Sequence, residues 1–155
     1  MKQGFTLIEL LITIVIGGIM LSGGLAAYRG LGTRQQVKQA GVSFQTDLKS
    51  YQQKALAGIK PAECLVGETL SGYQVSYIDA SHYSVGARCS QSEPAAATVS
   101  LPNLVVFALA FNPVDIFFPV LQGQVAGAQT ITLTKTSYQY SVVIEPSGVI
   151  RGQML

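Results

Sequence analysis

Residues 1–27 constrain the fold of this chain more than any other segment. From Phe5 to Ala27 the sequence is largely apolar and contains one charged residue, Glu9. A helix over this stretch would be roughly 34 Å long, which is enough to cross the hydrocarbon core of a membrane. An acid in such a helix costs about 2.5–3.5 kcal/mol at the membrane centre and less near an end. The sequence therefore predicts a membrane-spanning helix in which a partner compensates Glu9.

This start differs from an ordinary secretory signal peptide. Its charged leader covers only residues 1–4, and the apolar segment exceeds the ~7–15 residues that are typical of a signal peptide. No site resembling A-x-A follows the apolar segment. From the residues alone, a plain signal anchor stays open as an alternative, with Glu9 near the helix end by chance.

The run from Lys2 to Leu10, KQGFTLIEL, resembles the prepilin signal of type IV pilins and of type II secretion pseudopilins. The resemblance implies that a membrane prepilin peptidase cuts after Gly4 and methylates the new terminal amine of Phe5. Glu9 becomes the fifth residue of the mature chain. Its carboxylate can then pair with the Phe5 amine of a neighbouring subunit, an attraction that is strong where the dielectric is low.

The resemblance also implies an orientation. The N-terminus would face the cytoplasm in a single-pass inner-membrane precursor, and the C-terminal domain would lie outside before the chain enters a pilus or pseudopilus. The positive-inside rule favours the opposite orientation, because Lys2 precedes the span whereas Arg29, Arg34 and Lys38 follow it. We expect the prepilin orientation.

Composition limits what the rest of the chain can be. Of 155 residues, those beyond the predicted anchor suffice for one modest domain, and a net charge of +2 does not suggest a strong nucleic-acid-binding protein. Cys64 and Cys89 predict one disulfide in an extracytoplasmic domain, and two unrelated buried thiols are the alternative. With a single histidine, His82, and no Cys-x-x-Cys spacing, we expect no metal and no cofactor.

The remaining pattern predicts an α+β fold, in which a long N-terminal helix packs on antiparallel β-sheet. An apolar face repeats at helical spacing through the second half of the helix, residues 28–59, which should end near Gly58. The residues of this face are Val37, Gly41, Phe44, Leu48, Tyr51 and Ala55. Residues 60–155 are predicted to form a β-rich globular domain. The predicted strands or apolar runs are Tyr73–Ile78, His82–Cys89, Leu104–Phe111, Ile116–Val120, Thr130–Lys135, Tyr138–Ile144 and Val149–Gln153. The predicted breaks are Asp79–Ser81, Glu93–Ala97, Asn112-Pro113, a mobile Gln122–Gln129 and the turn Pro146–Gly148.

The C-terminal half adds a second resemblance. Phe117-Phe118-Pro119, the strand Tyr140–Ile144 and the ending from Gly148 to Arg151 resemble the GspH/FimT-like group of minor pilins and pseudopilins. Some proteins of that group take part in DNA uptake. The resemblance therefore implies a minor rather than a major subunit and leaves DNA binding as an alternative.

The sequence offers little that points to catalysis. We expect no enzyme, because one histidine without a nucleophile motif does not make a catalytic triad and no phosphate-binding loop is present. A weak candidate for DNA binding is the basic set Arg88, Lys135 and Arg151. Four phenylalanines, at positions 107, 111, 117 and 118, are expected to form sheet core, with a subunit contact as the alternative.

We therefore predict a minor pilin or pseudopilin, a structural subunit that assembles through its N-terminal helix. Its expected partners are the prepilin peptidase, other pilin or pseudopilin subunits, the inner-membrane assembly platform and the membrane. The alternatives are a competence-type pilin that binds DNA and a membrane-anchored domain that never polymerises.

Overall fold

The computed structural model describes residues 6–111 and 115–155, without the side chains of residues 21–29. The predicted leader, the cleavage site at Gly4 and Phe5, and the predicted break at Asn112-Pro113 lie outside the described residues. The described chain contains one long helix, α1 (Leu7–Leu56), and two β-sheets. It divides into two compact units, residues 1–35 and 36–155, and α1 runs through both.

In the first unit, helix α1 is capped at its N-terminus by Thr6. The hydroxyl oxygen of Thr6 accepts a hydrogen bond from the backbone N–H of Glu9 at 3.3 Å. Thr and Glu three residues apart form the pattern of a capping box, so Glu9 occupies a favourable position for an acid. Among the residues whose side chains are described, no helix is long and apolar enough to cross a membrane. The predicted span, residues 5–27, lies partly outside those residues and stays a prediction.

In the second unit, one face of α1 is buried, as the periodicity predicts. Val37, Phe44 and Leu48 are fully buried, and Tyr51 is half-buried. The helix ends at Leu56, where the N–H groups of Gly58 and Ile59 return to the carbonyls of Ala55 and Lys54, both at 3.1 Å. This pair of bonds is the Schellman arrangement, and it confirms the predicted end near Gly58.

The first sheet contains β1 (Leu70–Asp79), β2 (His82–Cys89), β3 (Ala97–Ser100) and β5 (Asp115–Pro119). The strands are antiparallel in the order β3-β2-β1-β5. The predicted hairpin around residues 79–81 is confirmed, although β1 begins earlier than Tyr73. The prediction that Ala97 belongs to a loop was wrong, because Ala97 pairs with Val85 and begins β3.

The second sheet contains β4 (Val106–Phe107), β6 (Gln129–Lys135), β7 (Tyr138–Ile144) and β8 (Ile150–Met154), in the order β4-β6-β7-β8. Its last three strands form the predicted meander. The apolar run Leu104–Phe111, however, contributes only the two residues of β4 to this sheet. Its phenylalanines turn into the core, whereas Leu104 and Leu109 are exposed. The α+β fold class is confirmed.

Aromatic side chains join the helix to both sheets. The ring of Phe44 lies 5.0 Å from that of Tyr83 and 5.4 Å from that of Phe107, both in edge-to-face geometry that aromatic pairs prefer. The Tyr83 hydroxyl donates to the Asp47 carboxylate at 2.5 Å. Burial raises the pKa of this hydroxyl, and the hydrogen bond to Asp47 raises it further, so it stays a donor at neutral pH. Three of the four predicted core phenylalanines (107, 111 and 118) are buried, and Phe117 is partly exposed.

Tyr140 of β7 sets the approach of the second sheet to the helix. A Cβ atom on Gly41 would overlap the Tyr140 ring, so the ring fills the space that the glycine leaves open. The Tyr140 hydroxyl donates to Gln45 Oε1 at 3.3 Å, and Gln45 Nε2 donates to the Ile150 carbonyl at 3.2 Å. The periodicity places Gly41 on the buried face of α1. A glycine at this position allows the helix and the Tyr140 ring to approach each other closely.

Gln52 anchors two connecting segments, one between β5 and β6 and one between β7 and β8. Its side-chain Nε2 donates to the carbonyl oxygens of Gly123 and Gly148, at 2.8 and 2.7 Å. The segment Gln122–Gln129, which is predicted to be mobile, is therefore anchored at Gly123. It is also anchored at Val125, which is buried. Its mobility in solution stays a prediction.

The predicted disulfide is present between Cys64 and Cys89, whose Cα atoms are 5.9 Å apart. It ties the connection after α1 to the end of β2. Beside it, the buried carboxylate of Glu68 accepts hydrogen bonds from the Leu65 N–H at 2.9 Å and the Ser92 hydroxyl at 2.7 Å. The connection between α1 and β1 is therefore held by a covalent bond and by hydrogen bonds.

We expect the double variant Cys64→Ser/Cys89→Ser to lose about 3–4 kcal/mol of the free energy of unfolding, because its unfolded chain is no longer closed into a loop. Urea denaturation with and without a thiol reductant measures this. The wild-type midpoint should fall on reduction, and that of the variant should not respond. Equal stability of the oxidised wild type and the variant would contradict the prediction.

Candidate functional site

The first turn of α1 carries the one acid of the apolar segment. Glu9 is exposed, and within the described residues its carboxylate makes no hydrogen bond or ion pair. The backbone N–H groups of Glu9 and Leu10 both return to the carbonyl of Thr6, at 3.1 and 3.2 Å. The backbone of the first turn is therefore fixed by Thr6, and no group among the described residues occupies the carboxylate.

Around and beyond Glu9, helix α1 exposes apolar side chains on every side. Each is at least half exposed, and Leu7 reaches 81%. They are Leu7, Ile8, Leu10, Leu11, Ile12, Ile14, Val15, Ile16, Ile19 and Met20. Moving one such side chain out of water contributes about 1.5–3 kcal/mol of favourable free energy. A surface of this kind is suited to lipid or to the helices of other chains.

The predicted processing residues cannot be compared with this geometry, because Gly4 and Phe5 lie outside the described residues. The capping role of Thr6 was not predicted from the sequence. The signal was present, since Thr6 and Glu9 have the spacing of a capping box directly before an apolar run.

The three candidate DNA-binding residues have separate local partners. Arg88, on β2, pairs with Glu93 at 2.8 Å, and Arg151, on β8, pairs with Glu145 at 3.5 Å. Lys135, on β6, donates to Gln36 Oε1 at 2.8 Å and to the Asn103 carbonyl. The structure brings none of them into contact with another and sets a carboxylate against two of them, so it adds no support for a shared basic surface.

His82 is the first residue of β2 and follows the turn between β1 and β2. Its Nδ1 atom is 2.8 Å from Asp79 Oδ1. The Ser81 backbone N–H, which donates to the same carboxylate, is the main cause that lowers the pKa of Asp79, and His82 adds to it. This turn closes a hairpin at the surface.

Comparison with known proteins identifies the start of the chain. The family model described as the prokaryotic N-terminal methylation motif matches residues 1–25. No curated protein and no solved structure matches the chain. The predicted prepilin-type signal is thus confirmed. This signal supports a type IV pilin-like protein that is processed by a prepilin peptidase. Such a signal fits an inner-membrane anchor and implies assembly with other pilin subunits.

Proposed function

We propose that this chain is a minor pilin or a pseudopilin, a non-enzymatic structural subunit of a type IV pilus or of a type II secretion pseudopilus. One observation carries the proposal. Helix α1 exposes apolar side chains around a single carboxylate in its first turn, which is unpaired within the described residues, and the same helix continues into the core of an α+β domain. An assembly helix attached to a globular domain is what a filament subunit requires.

In the proposed mechanism, cleavage after Gly4 creates a cationic amine at Phe5. The Glu9 carboxylate of one subunit binds the Phe5 amine of its neighbour and fixes the axial position of the two helices. The attraction offsets the desolvation of both charges, and the surrounding apolar side chains pack against neighbouring helices by van der Waals contact. Glu9 acts here as a docking group and transfers no proton.

The finer assignment rests on the C-terminal half. The resemblance of residues 117–151 to GspH/FimT-like proteins favours a minor pilin or pseudopilin over a major pilin. The partners would be other pilin or pseudopilin subunits, the prepilin peptidase and the inner-membrane assembly platform, with the β-rich domain outside the cytoplasm. The disulfide between Cys64 and Cys89 supports this location, because such bonds persist in oxidising compartments.

Mass spectrometry of the purified protein should find a mature chain that begins with N-methylated Phe5. Cleavage after Gly4 removes the leader, and the same peptidase adds the methyl group. Gly4→Val is the control, because a side chain at this position blocks the approach of the peptidase to the backbone, and the leader should then be retained. An intact leader in the wild-type chain, expressed with its peptidase, would overturn the proposed processing.

A further inference from the structure

The outer face of the first sheet, away from the helix, carries a small cleft that none of the proposed assembly steps uses. Its volume is about 70 Å³. Its floor consists of side chains that alternate along β1 and β2, and the segment Glu93–Ala96 forms one wall. The floor residues are Gln74, Ser76, Ser84, Gly86 and Arg88. The cleft is thus lined by amide, hydroxyl and guanidinium groups on a rigid sheet.

Arg88 is held in this cleft on two sides. Its Nη2 atom pairs with Glu93 Oε1 at 2.8 Å, and its guanidinium carbon lies 5.7 Å from the centre of the Phe117 ring. Its Nε atom is buried and has no hydrogen-bond partner within the described residues. The guanidinium as a whole is half-exposed, and its Nη groups can donate to an oxygen atom placed in the cleft.

The neighbouring polar groups offer both donors and acceptors. Gln74 Nε2 donates to the Ser76 hydroxyl at 2.8 Å, which leaves the hydrogen of that hydroxyl and the Gln74 Oε1 atom available. The Ser84 hydroxyl makes no hydrogen bond within the described part of the chain. The cleft would therefore suit a ligand whose closely spaced atoms both donate and accept hydrogen bonds.

The charges inside the cleft distinguish a neutral ligand from a charged one. Arg88 and Glu93 neutralise each other inside the site, so a carboxylate ligand would meet Glu93 and an ammonium ligand would meet Arg88. Hydroxyl groups donate and accept without carrying charge, and the small volume admits one edge of a ring rather than a whole ring. We propose that this cleft binds a neutral polyhydroxyl ligand, the hydroxyl-bearing edge of a sugar. The proposal is independent of filament assembly.

The test is saturation-transfer NMR on the full chain in phosphocholine detergent, since detergents with sugar head groups would compete. The probes are glucose, galactose and N-acetylglucosamine, with acetate as the charged comparison. We expect transfer to at least one of the sugars and none to acetate. Arg88→Lys keeps the charge opposite Glu93 but lacks the planar pair of Nη groups, and it should weaken sugar binding about tenfold. Ser84→Ala, which removes only a hydroxyl, should also weaken it.

Arg151→Lys is the matched control, because Arg151 also pairs with a glutamate but lines no part of this cleft. It should bind the sugars as the wild type does, and all variants should keep the wild-type melting temperature. Transfer from none of the sugars, transfer that is equal in Arg88→Lys, Ser84→Ala and wild type, or transfer to acetate alone would each overturn the proposal.

Discussion

Replacement of Gly148 with alanine is expected to destabilise the β-rich domain by about 3 kcal/mol. Gly148 closes the turn between β7 and β8 with a φ of +85°, where an L side chain is strained. In addition, the Gly123 carbonyl lies where a Cβ atom would be, so the backbone of residues 122–125 would have to move. The two hydrogen bonds from Gln52 would then be lost together.

Thermal denaturation followed by circular dichroism measures this effect, and we expect the melting temperature to fall by about 10 °C. Gly127→Ala is the matched control, because Gly127 lies in the neighbouring connection, has no positive φ and has open space, with no atom within 4 Å, where the alanine Cβ would lie. Its melting temperature should be unchanged or slightly raised. An unchanged melting temperature for Gly148→Ala would show that the contact between the turn and residues 122–125 is not made in solution.

Changing Glu9 to glutamine is expected to leave processing intact and to reduce incorporation into filaments at least about tenfold. A tenfold loss corresponds to about 1.4 kcal/mol, well below the roughly 4 kcal/mol attraction of two charges 4 Å apart in a partly hydrated site. Glutamine is chosen because it is also the second residue type found in a capping box. The start of helix α1 should therefore be retained, and only the negative charge is removed.

Quantitative immunoblotting of sheared filaments, relative to processed protein in the membrane, measures incorporation. Glu9→Leu removes the charge together with every polar atom of the side chain and should be no better than Glu9→Gln. Thr6→Ser keeps the hydroxyl that caps the helix and should assemble like the wild type. If Glu9→Gln assembles normally, the charge is not required and the docking role of Glu9 is wrong.

Much of the fold follows from periodicity. The spacing of Val37, Phe44 and Leu48 identifies the buried face of the helix, because packing against a sheet requires one continuous apolar stripe. The last hairpin was predictable because a turn with glycine in the left-handed region is set by local residues. The prepilin signal is likewise local, and its match to residues 1–25 confirms it.

Features made by distant contacts were not predictable. Strand β3 is short and follows two alanines, and it exists because β2 offers it an edge for pairing. The polar cleft depends on side chains of β1 and β2 that meet a loop across the sheet, and no spacing along the chain indicates that meeting. The place of Gln52 between two carbonyls depends on connections that are far away in sequence.

The packing of Tyr140 against Gly41 has a mechanical consequence. A slide of the helix by about one turn would bring Val37 or Phe44 beneath the ring, where a side chain and the ring would overlap. The second sheet therefore admits a single axial position of the buried half of α1. Tension along the helix would be opposed by steric contact with the whole Tyr140 ring rather than by a few hydrogen bonds. Under tension we therefore expect the domain to unfold before the helix slides.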